Sequence, residues 1–209
     1  MRRLKTQVIV NPESAKGMTR RRWGHIREGI RHFISEFRYE FTEKPLHAIE
    51  IARSAIKDGT ELVIGVGGDG TMNEIANGFF DGAALINPAA KLGILPSGTG
   101  CDLTRSLNIP KRLKDAMEVI TQGPAQIIDV GQVTFRTPDG GTLKRYFLNV
   151  ADFGIGGEVV HKVNTRRLER KASSYVRCLV STMIHFKNKR VRIRVDGWEL
   201  PGGEYLIGA

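Results

Sequence analysis

A glycine-rich turn with a single acid carries the first chemical indication in the sequence. Residues 65–70 read Gly-Val-Gly-Gly-Asp-Gly and follow the apolar run 62–64. Consecutive glycines can take positive φ and line up backbone N–H groups toward an anion. Thr71 and Glu74 have the spacing of a capping box, which predicts that a helix begins at this turn and adds its dipole. Asp69 could hold Mg²⁺ against a phosphate or take a proton from an attacking hydroxyl.

Two further turns have a similar make-up of small residues, hydroxyls and acids. Residues 11–17 (Asn-Pro-Glu-Ser-Ala-Lys-Gly) follow the apolar run 7–10, and residues 97–102 (Ser-Gly-Thr-Gly-Cys-Asp) follow the run 92–95. Ligands of open parallel sheets sit beyond the carboxyl ends of the strands. The three turns are therefore predicted to line one phosphate-binding cleft. Glycines that serve only close packing of strand and helix are the alternative.

Two common nucleotide-binding motifs fit this sequence poorly. Residues 65–70 satisfy the G-x-G-x-x-G pattern, but a lone match is weak. The acid that binds a dinucleotide's ribose, expected about 20 residues later, is missing. A Walker A loop is also absent, because no Gly-Lys-Ser or Gly-Lys-Thr occurs in the chain. The pattern therefore disfavours both a dehydrogenase and a P-loop enzyme.

Alternating strands and helices must position these turns. Short apolar runs at 7–10, 62–64 and 92–95 are typical of strands, and so is the alternating stretch 38–42. Between them, apolar residues recur at helical spacings of three and four. These sets are Trp23, Ile26, Ile30, Phe33 and Phe37, then Leu46, Ile49, Ala52 and Ile56, and then Met72, Ile75, Ala76 and Phe79. Strands separated by helices predict an α/β fold with a largely parallel sheet.

The sequence changes character after Gln126. Residues 127–135 and 143–150 are predicted strands, and one long helix carries an apolar stripe from Leu168 to Phe186. We therefore predict an α/β domain over residues 1–126 and a β-rich domain with one basic amphipathic helix over residues 127–209. The chain stops inside the apolar run 205–209, which favours an incomplete second domain.

The net charge of +10 is concentrated in one segment. Residues 162–194 contain eleven Lys or Arg and a single acid, Glu169, so this segment alone carries +10. Such a segment indicates one anionic partner surface, either a phospholipid layer or a nucleic acid. Sparse aromatic residues there disfavour single-strand nucleic-acid binding. The predicted membrane contacts lie on the face opposite the apolar stripe, at Arg166, Arg167, Arg170 and Lys171. A solvated basic helix without a partner is the alternative.

Taken together, the motifs resemble the diacylglycerol kinase catalytic domain family, which includes bacterial lipid kinases and sphingosine kinases. The most specific element is the run Gly67–Thr71 followed by Asn73-Glu74. The others are Pro96-x-Gly98-Thr99 with Asp102 and Arg105, Asn11-Pro12-x-Ser14, Ile128–Gly131, and the stretch 149–157. The resemblance covers nearly the whole chain, from Val8 to Ala209.

The resemblance implies an NAD-kinase- and phosphofructokinase-like α/β domain followed by part of a β-sandwich. It implies transfer of the γ-phosphoryl group of ATP, with Mg²⁺, to a lipid hydroxyl such as that of diacylglycerol. Asp69 is the candidate metal ligand or base. The implied ATP contacts are Asn11, Pro12, Glu13, Ser14, Ala15, Thr42, Gly67, Gly68, Asp69, Gly70, Thr71, Met72, Asn73 and Thr99.

Some features depart from the family pattern. Ala15 stands where members usually have Gly, Cys101 where they usually have Asn, and Thr104 where they usually have Ala. Members also continue past Ala209 into a region that holds a structural Mg²⁺ and a glutamate proposed as general base. A truncated member with little activity of its own is therefore expected. A soluble-substrate kinase like NAD kinase, or a non-catalytic nucleotide- or nucleic-acid-binding module, is the alternative.

Composition bounds the cellular setting. The two cysteines, Cys101 and Cys178, have no metal-ligand spacing and fit a reducing cytosol. The N-terminal apolar run 8–10 is too short for a secretory signal, and no run approaches the length of a membrane span. A cytoplasmic protein with peripheral membrane association is expected, and a homodimer stays open. The sequence identifies neither the lipid nor the oligomeric state.

Overall fold

The computed structural model describes residues 4–98, 100–137, 139–165, 180–191, 194–195, 198–199, 202–205 and 207–208. The chain divides into two compact units, Met1–Asn149 and Val150–Ala209. None of the described helices is both long enough and apolar enough to cross a membrane.

A four-stranded parallel sheet forms the centre of the first unit. Its strands are β1 (Thr6–Val10), β2 (Arg38–Phe41), β3 (Leu62–Gly67) and β6 (Lys91–Pro96), in the order β2-β1-β3-β6. Val8 pairs with Tyr39 on one side and with Ile64 on the other, and Ile64 pairs with Gly93. The predicted α/β class with a parallel sheet is confirmed.

Helices cover both faces of this sheet because its central strands are apolar on both faces. The first unit contains α1 (Met18–Phe33), α2 (His47–Lys57), α3 (Asp69–Gly78), α4 (Asp102–Ser106) and α5 (Leu113–Gln122). Val8 and Ile64 lie in one buried cluster with Trp23 and Met117 from α1 and α5. The neighbouring residues Ile9 and Val63 point into a second cluster with helices α2 and α3. The alternation of strand side chains thus divides the core into two layers.

The first predicted helix ends earlier than its apolar pattern suggested. Helix α1 stops at Phe33, and Ile34 is already extended. Phe37 nevertheless packs against the same core cluster as Trp23 and Ile30. The prediction that placed Phe37 on the helix was wrong, because a residue in the following loop can fill the same apolar layer.

Two strand pairs complete the first unit. The short strands β4 (Phe80–Asp81) and β5 (Ala84–Leu85) pair with each other, and β7 (Gly131–Arg136) forms an antiparallel hairpin with β8 (Thr142–Phe147). In the hairpin turn, hydrogen bonds from the Thr137 side chain and from backbone groups hold the pKa of Asp139 below its usual value.

The β7–β8 hairpin is attached to helix α3. The Asn77 side-chain Nδ2 donates to the Tyr146 backbone carbonyl at 2.8 Å, and its Oδ1 accepts from the Tyr146 backbone N–H at 2.9 Å. The Tyr146 ring also stacks on Phe80 with a centroid distance of 3.8 Å. Because of these contacts the compact units divide after Asn149, beyond the hairpin. The boundary at residue 126, drawn from the change in sequence character, stays a prediction.

The second unit contains short antiparallel strand pairs and two described helical segments. The pairs join β9 (Phe153–Gly154) to β14 (Ile207–Gly208), β10 (Lys189–Val191) to β13 (Gly203–Tyr205), and β11 (Arg194–Val195) to β12 (Trp198–Glu199). Helix α6 (Ile155–Thr165) was not predicted, because Gly156 and Gly157 hide its start. Residues 180–185 are helical, as predicted for the end of the long helix. The rest of that helix, residues 166–179, lies outside the described residues.

Candidate functional site

Three turns meet at the carboxyl edge of the parallel sheet. We call them the Asn11 turn (residues 11–17), the glycine turn (residues 67–71) and the Ser97 turn (residues 97–102). They follow β1, β3 and β6, which are neighbours in the sheet. The Asn11 amide donates to the Val66 carbonyl at 2.9 Å, and the Ser97 amide donates to the Gly67 carbonyl at 2.8 Å. The structure therefore brings the predicted turns together at one edge.

Some of the other predicted nucleotide contacts have a position in the structure, and others lie outside the described residues. Thr42 follows β2 at the same edge, and its amide donates to the Val10 carbonyl at 2.9 Å. Met72 is buried in α3, where it packs with Ile94 and Leu103, so its side chain serves the core. Thr99 and the four predicted membrane contacts lie outside the described residues. The latter are Arg166, Arg167, Arg170 and Lys171.

Close packing, and not positive φ, accounts for several glycines in and around the glycine turn. None of Gly65, Gly67, Gly68 and Gly70 takes a positive φ, so the predicted positive-φ arrangement is wrong. A Cβ on Gly67 would lie 2.5 Å from the Thr71 hydroxyl oxygen. A Cβ on Gly98 would lie 2.6 Å from the Gly68 Cα. Gly67 therefore leaves room for the Thr71 side chain, and Gly98 lets the Ser97 turn touch the backbone of the glycine turn.

Left-handed backbone occurs in the two flanking turns instead. Ala15, Lys16 and Gly17 take φ values of 50°, 59° and 79° in the Asn11 turn, and Cys101 takes 57° in the Ser97 turn. For a residue with a Cβ this conformation costs about 1–2 kcal/mol, whereas Gly adopts it freely and Asn tolerates it. Members of the resembling family usually have Gly at position 15 and Asn at position 101. This backbone geometry favours both of those residues.

The predicted capping box does not form. Helix α3 begins at Asp69 with Gly68 as its N-cap, and no side chain caps it. Thr71 lies inside the first helical turn, where its hydroxyl oxygen accepts a hydrogen bond from the Asn11 side-chain Nδ2 at 2.9 Å. Thr71 therefore ties the glycine turn to the Asn11 turn. The spacing of Thr71 and Glu74 was misleading because Thr71 lies within the helix and its hydroxyl is engaged by Asn11.

Asp69 joins the glycine turn to the Ser97 turn. Its two carboxylate oxygens accept hydrogen bonds from the backbone amides of Asp102 and Leu103, each at 3.1 Å. These amides open helix α4, whose own N-cap Cys101 supplies no side-chain hydrogen bond. The buried Cys101 is a free thiol. Asp69 thus caps a helix that lies more than 30 positions later in the chain, a role that its sequence position did not reveal.

The same carboxylate lies beside a second acid. A Cβ built on Gly100 would be 3.3 Å from Asp69 Oδ2 and 3.8 Å from Asp102 Oδ2, so the two carboxylates flank this glycine. Asp102 is ion-paired with Arg105 at 2.7 Å. Among the described residues, no group of three or more His, Cys, Asp or Glu could hold a metal ion by itself. Mg²⁺ is usually held by one or two carboxylates together with substrate phosphates, and two carboxylates are what this edge offers.

A chain of hydroxyls connects the Asn11 turn to the Ser97 turn. Thr19, which is 1% exposed, lies 2.6 Å from the Ser14 hydroxyl and is also hydrogen-bonded to the Ser97 hydroxyl. Thr19 lies outside the motifs from which the site was predicted. A signal was present, since Thr19 precedes Trp23 by four residues and so continues the buried stripe of α1.

The contact between the two glycine-containing turns gives a stability prediction. Gly98→Ala should lower the free energy of unfolding by about 1–3 kcal/mol, because the new Cβ must push the Gly68 backbone away. Gly70→Ala is the matched control. A Cβ at Gly70 meets nothing within 4 Å, and alanine favours a helix over glycine by about 0.5–1 kcal/mol. Urea unfolding of both variants checks this, and equal midpoints for Gly98→Ala and the unmodified chain would contradict the packing.

A groove at the opposite edge of the sheet offers another place for a ligand. It has a volume of about 880 Å³ and is lined by Lys5, Phe33, Leu62 and Thr121, among others. It lies at the amino ends of β1 and β3. None of the residues predicted to contact nucleotide lines it.

Comparisons with known proteins agree with the resemblance seen in the motifs. The family model described as "Diacylglycerol kinase catalytic domain" matches residues 5–133. The diacylglycerol kinase of Staphylococcus carnosus is 28% identical over 207 residues, which are 98% of this chain and 63% of that protein. The diacylglycerol kinase of Staphylococcus aureus strain JH9 is 32% identical over 152 residues, 73% of this chain and 44% of that protein. The chain thus spans less than two thirds of the length of these relatives.

Solved structures share the fold. The crystal structure of a diacylglycerol kinase from Bacillus anthracis superposes with a TM-score of 0.65 at 23% identity. The match covers 97% of this chain and 62% of that one. This likeness confirms the predicted fold class, an α/β domain built on a parallel sheet.

Proposed function

Because the chain belongs to the diacylglycerol kinase catalytic domain family, we propose that it binds ATP with Mg²⁺ for transfer of the γ-phosphoryl group to a lipid hydroxyl, such as that of diacylglycerol. The observation that carries the proposal is the meeting of the Asn11, glycine and Ser97 turns at the carboxyl edge of the sheet. That edge is where open parallel sheets bind their ligands.

The start of helix α3 suits a phosphate group. The helix has ten residues and begins at Asp69, directly after the glycine turn. The first N–H groups of a helix lack partners within the helix, and the helix dipole favours a negative charge beside them. Phosphoryl transfer depends mainly on positioning and on charge neutralisation. The backbone of this turn can supply both without a Walker A lysine.

We further propose that Asp69 and Asp102 hold the Mg²⁺ ion. A carboxylate has about four lone-pair sites, so Asp69 can accept two N–H groups and still bind a cation. When bound, the ion would neutralise the negative charge of the phosphate groups during phosphoryl transfer. The chain's own contribution is to hold both carboxylates beside Gly100, through the bonds from Asp69 to the amides of Asp102 and Leu103.

Asp69→Asn should weaken Mg²⁺-dependent ATP binding by about 1–3 kcal/mol, the scale of losing a charged hydrogen-bond partner. The asparagine NH₂ would also face a backbone N–H donor of α4, so some affinity should be lost without metal. Calorimetry with Mg²⁺ and with EDTA separates the two effects. Asp115→Asn, a change in the exposed Arg112–Asp115 pair of α5, is the matched control.

Two results of this calorimetry would contradict the assignment. Equal affinity of Asp69→Asn and the unmodified chain in both conditions would exclude a role for Asp69 in nucleotide binding. An equal loss with Mg²⁺ and with EDTA would leave Asp69 as a cap of α4 alone and would exclude its metal role.

We propose an anionic membrane surface as the partner that brings the lipid substrate within reach. The support is the charge of +10 over residues 162–194. Within that segment Lys187 and Arg190 are described and exposed. Basic residues near an anionic leaflet are attracted to it without any membrane span.

A further inference from the structure

Three hydroxyl groups form a continuous chain between two of the turns. The Ser14 hydroxyl donates to the Asn11 carbonyl at 2.7 Å and lies 2.6 Å from the Thr19 hydroxyl. The Thr19 hydroxyl is in turn hydrogen-bonded to the hydroxyl of Ser97. Thr19 is buried, while Ser14 and Ser97 are half-buried. The three hydroxyls therefore connect the Asn11 turn to the Ser97 turn through the first helical turn of α1.

The direction of each hydrogen bond follows from counting protons. A hydroxyl has one proton and two lone pairs, and a carbonyl oxygen can only accept. Because the Ser14 proton goes to the Asn11 carbonyl, the Thr19 proton is directed at Ser14, whose hydroxyl oxygen lies at 2.6 Å and whose carbonyl oxygen accepts at 3.2 Å. The Thr19 proton is then used, so Ser97 must donate to Thr19. The Ser97 amide is also occupied, since it donates to the Gly67 carbonyl.

We propose that Thr19 is a positioning residue of the nucleotide site. It fixes the Ser97 hydroxyl so that the Ser97 oxygen accepts a hydrogen bond from the ligand or binds a metal ion. This inference rests on the proposed function. With its only hydroxyl proton committed to Thr19, Ser97 cannot donate to a phosphate oxygen. It can accept from a hydroxyl or amino group of the nucleotide, or it can bind Mg²⁺. The shared chemistry is a positively polarised group placed against the Ser97 oxygen.

The test compares nucleotide affinity across matched variants. Thr19→Val removes the hydroxyl with little change of shape, and Thr19→Ser retains it. We expect Thr19→Val to raise the Kd for Mg-ATP about fivefold, the loss of one hydrogen bond, and Thr19→Ser to restore it. Thr121→Val, which removes a half-buried helix hydroxyl bonded to the Met117 carbonyl, is the control and should bind like the unmodified chain.

A double variant tests whether Thr19 acts through Ser97. If it does, Thr19→Val combined with Ser97→Ala should bind no worse than Ser97→Ala alone. Repeating the titrations with EDTA identifies the group that Ser97 meets. An effect that disappears without metal indicates Mg²⁺, and one that persists indicates a donor on the nucleotide. Additive losses, or a failure of Thr19→Ser to restore affinity, would overturn the proposal.

A ligand-free measurement separates this inference from the proposed function. Amide hydrogen exchange followed by NMR should show the Ser97 amide exchanging about fivefold faster in Thr19→Val but not in Thr19→Ser. If the unmodified chain fails to bind Mg-ATP, the proposed function fails, while the exchange data still report on Thr19. Unchanged exchange at Ser97 in Thr19→Val would overturn the positioning role even if ATP binds.

Discussion

The 209-residue chain should transfer the γ-phosphate of ATP to diacylglycerol about 10²–10⁴-fold more slowly than the diacylglycerol kinase of Staphylococcus carnosus, the scale of a missing general base. The family resemblance places the proposed general base in a part of the relatives that these 209 residues do not match, since the match covers 63% of the Staphylococcus carnosus protein. Asp69 is the acid at the glycine turn, but both of its oxygens are engaged by the amides that open α4. With Asp69 assigned to the cap of α4 and to Mg²⁺, the glycine turn offers no further acid for proton abstraction.

Transfer of radiolabelled phosphate to diacylglycerol in mixed micelles measures this rate directly. Asp69→Asn should be assayed alongside, because it removes the only acid of the glycine turn while keeping its size. Turnover of about one per second by the unmodified chain, the lower end of ordinary enzyme rates, would contradict the prediction. If Asp69→Asn abolished that turnover, Asp69 would be the base.

Reversing four basic residues to glutamate should abolish co-sedimentation with phosphatidylglycerol vesicles. The residues are Arg166, Arg167, Arg170 and Lys171. Each Lys or Arg near an anionic leaflet contributes about 1 kcal/mol, so removing four attractions should weaken binding about 10³-fold before the added repulsion is counted. Binding of the unmodified chain should also fade at high salt, as the Debye length falls below about 8 Å, and on phosphatidylcholine vesicles.

The control for this experiment changes the same charge elsewhere. Four lysines of the first unit are exposed and lie outside the basic segment: Lys91, Lys111, Lys114 and Lys144. Their reversal gives the same net charge and should leave most of the pelleting intact. If the variant reversed at residues 166–171 still pelleted as well as the unmodified chain, the basic helix face would not be the membrane contact.

The architecture of the sheet could be predicted from the sequence because its signals are local. The apolar runs at 7–10 and 62–64 became the buried strands β1 and β3, and both are paired as a parallel sheet requires. The turns after them were placed at the carboxyl edge by topology alone. This explains why Asn11, Gly67 and Ser97 were brought together as expected.

The detailed geometry of the site could not be predicted, because it depends on contacts between turns that are distant in sequence. Gly68 approaches Gly98, and Asp69 binds the amides of Asp102 and Leu103. Neither contact leaves a periodic signal in the sequence. The positive φ of Ala15 is likewise set by the fold. The run of glycines led to a prediction of left-handed backbone at residues 65–70, where the structure has none.

Titration of the isotopically labelled chain with Mg-ATP, followed through its backbone amide resonances, tests the central claim most directly. The largest changes in resonance position should fall on residues 11–17, 67–73 and 97–105, where the three turns and the start of α4 meet. The groove at the amino edge, lined by Lys5, Leu62 and Thr121, should be unaffected. Shifts confined to that groove, or no shifts at millimolar Mg-ATP, would contradict a nucleotide site at the carboxyl edge of the sheet.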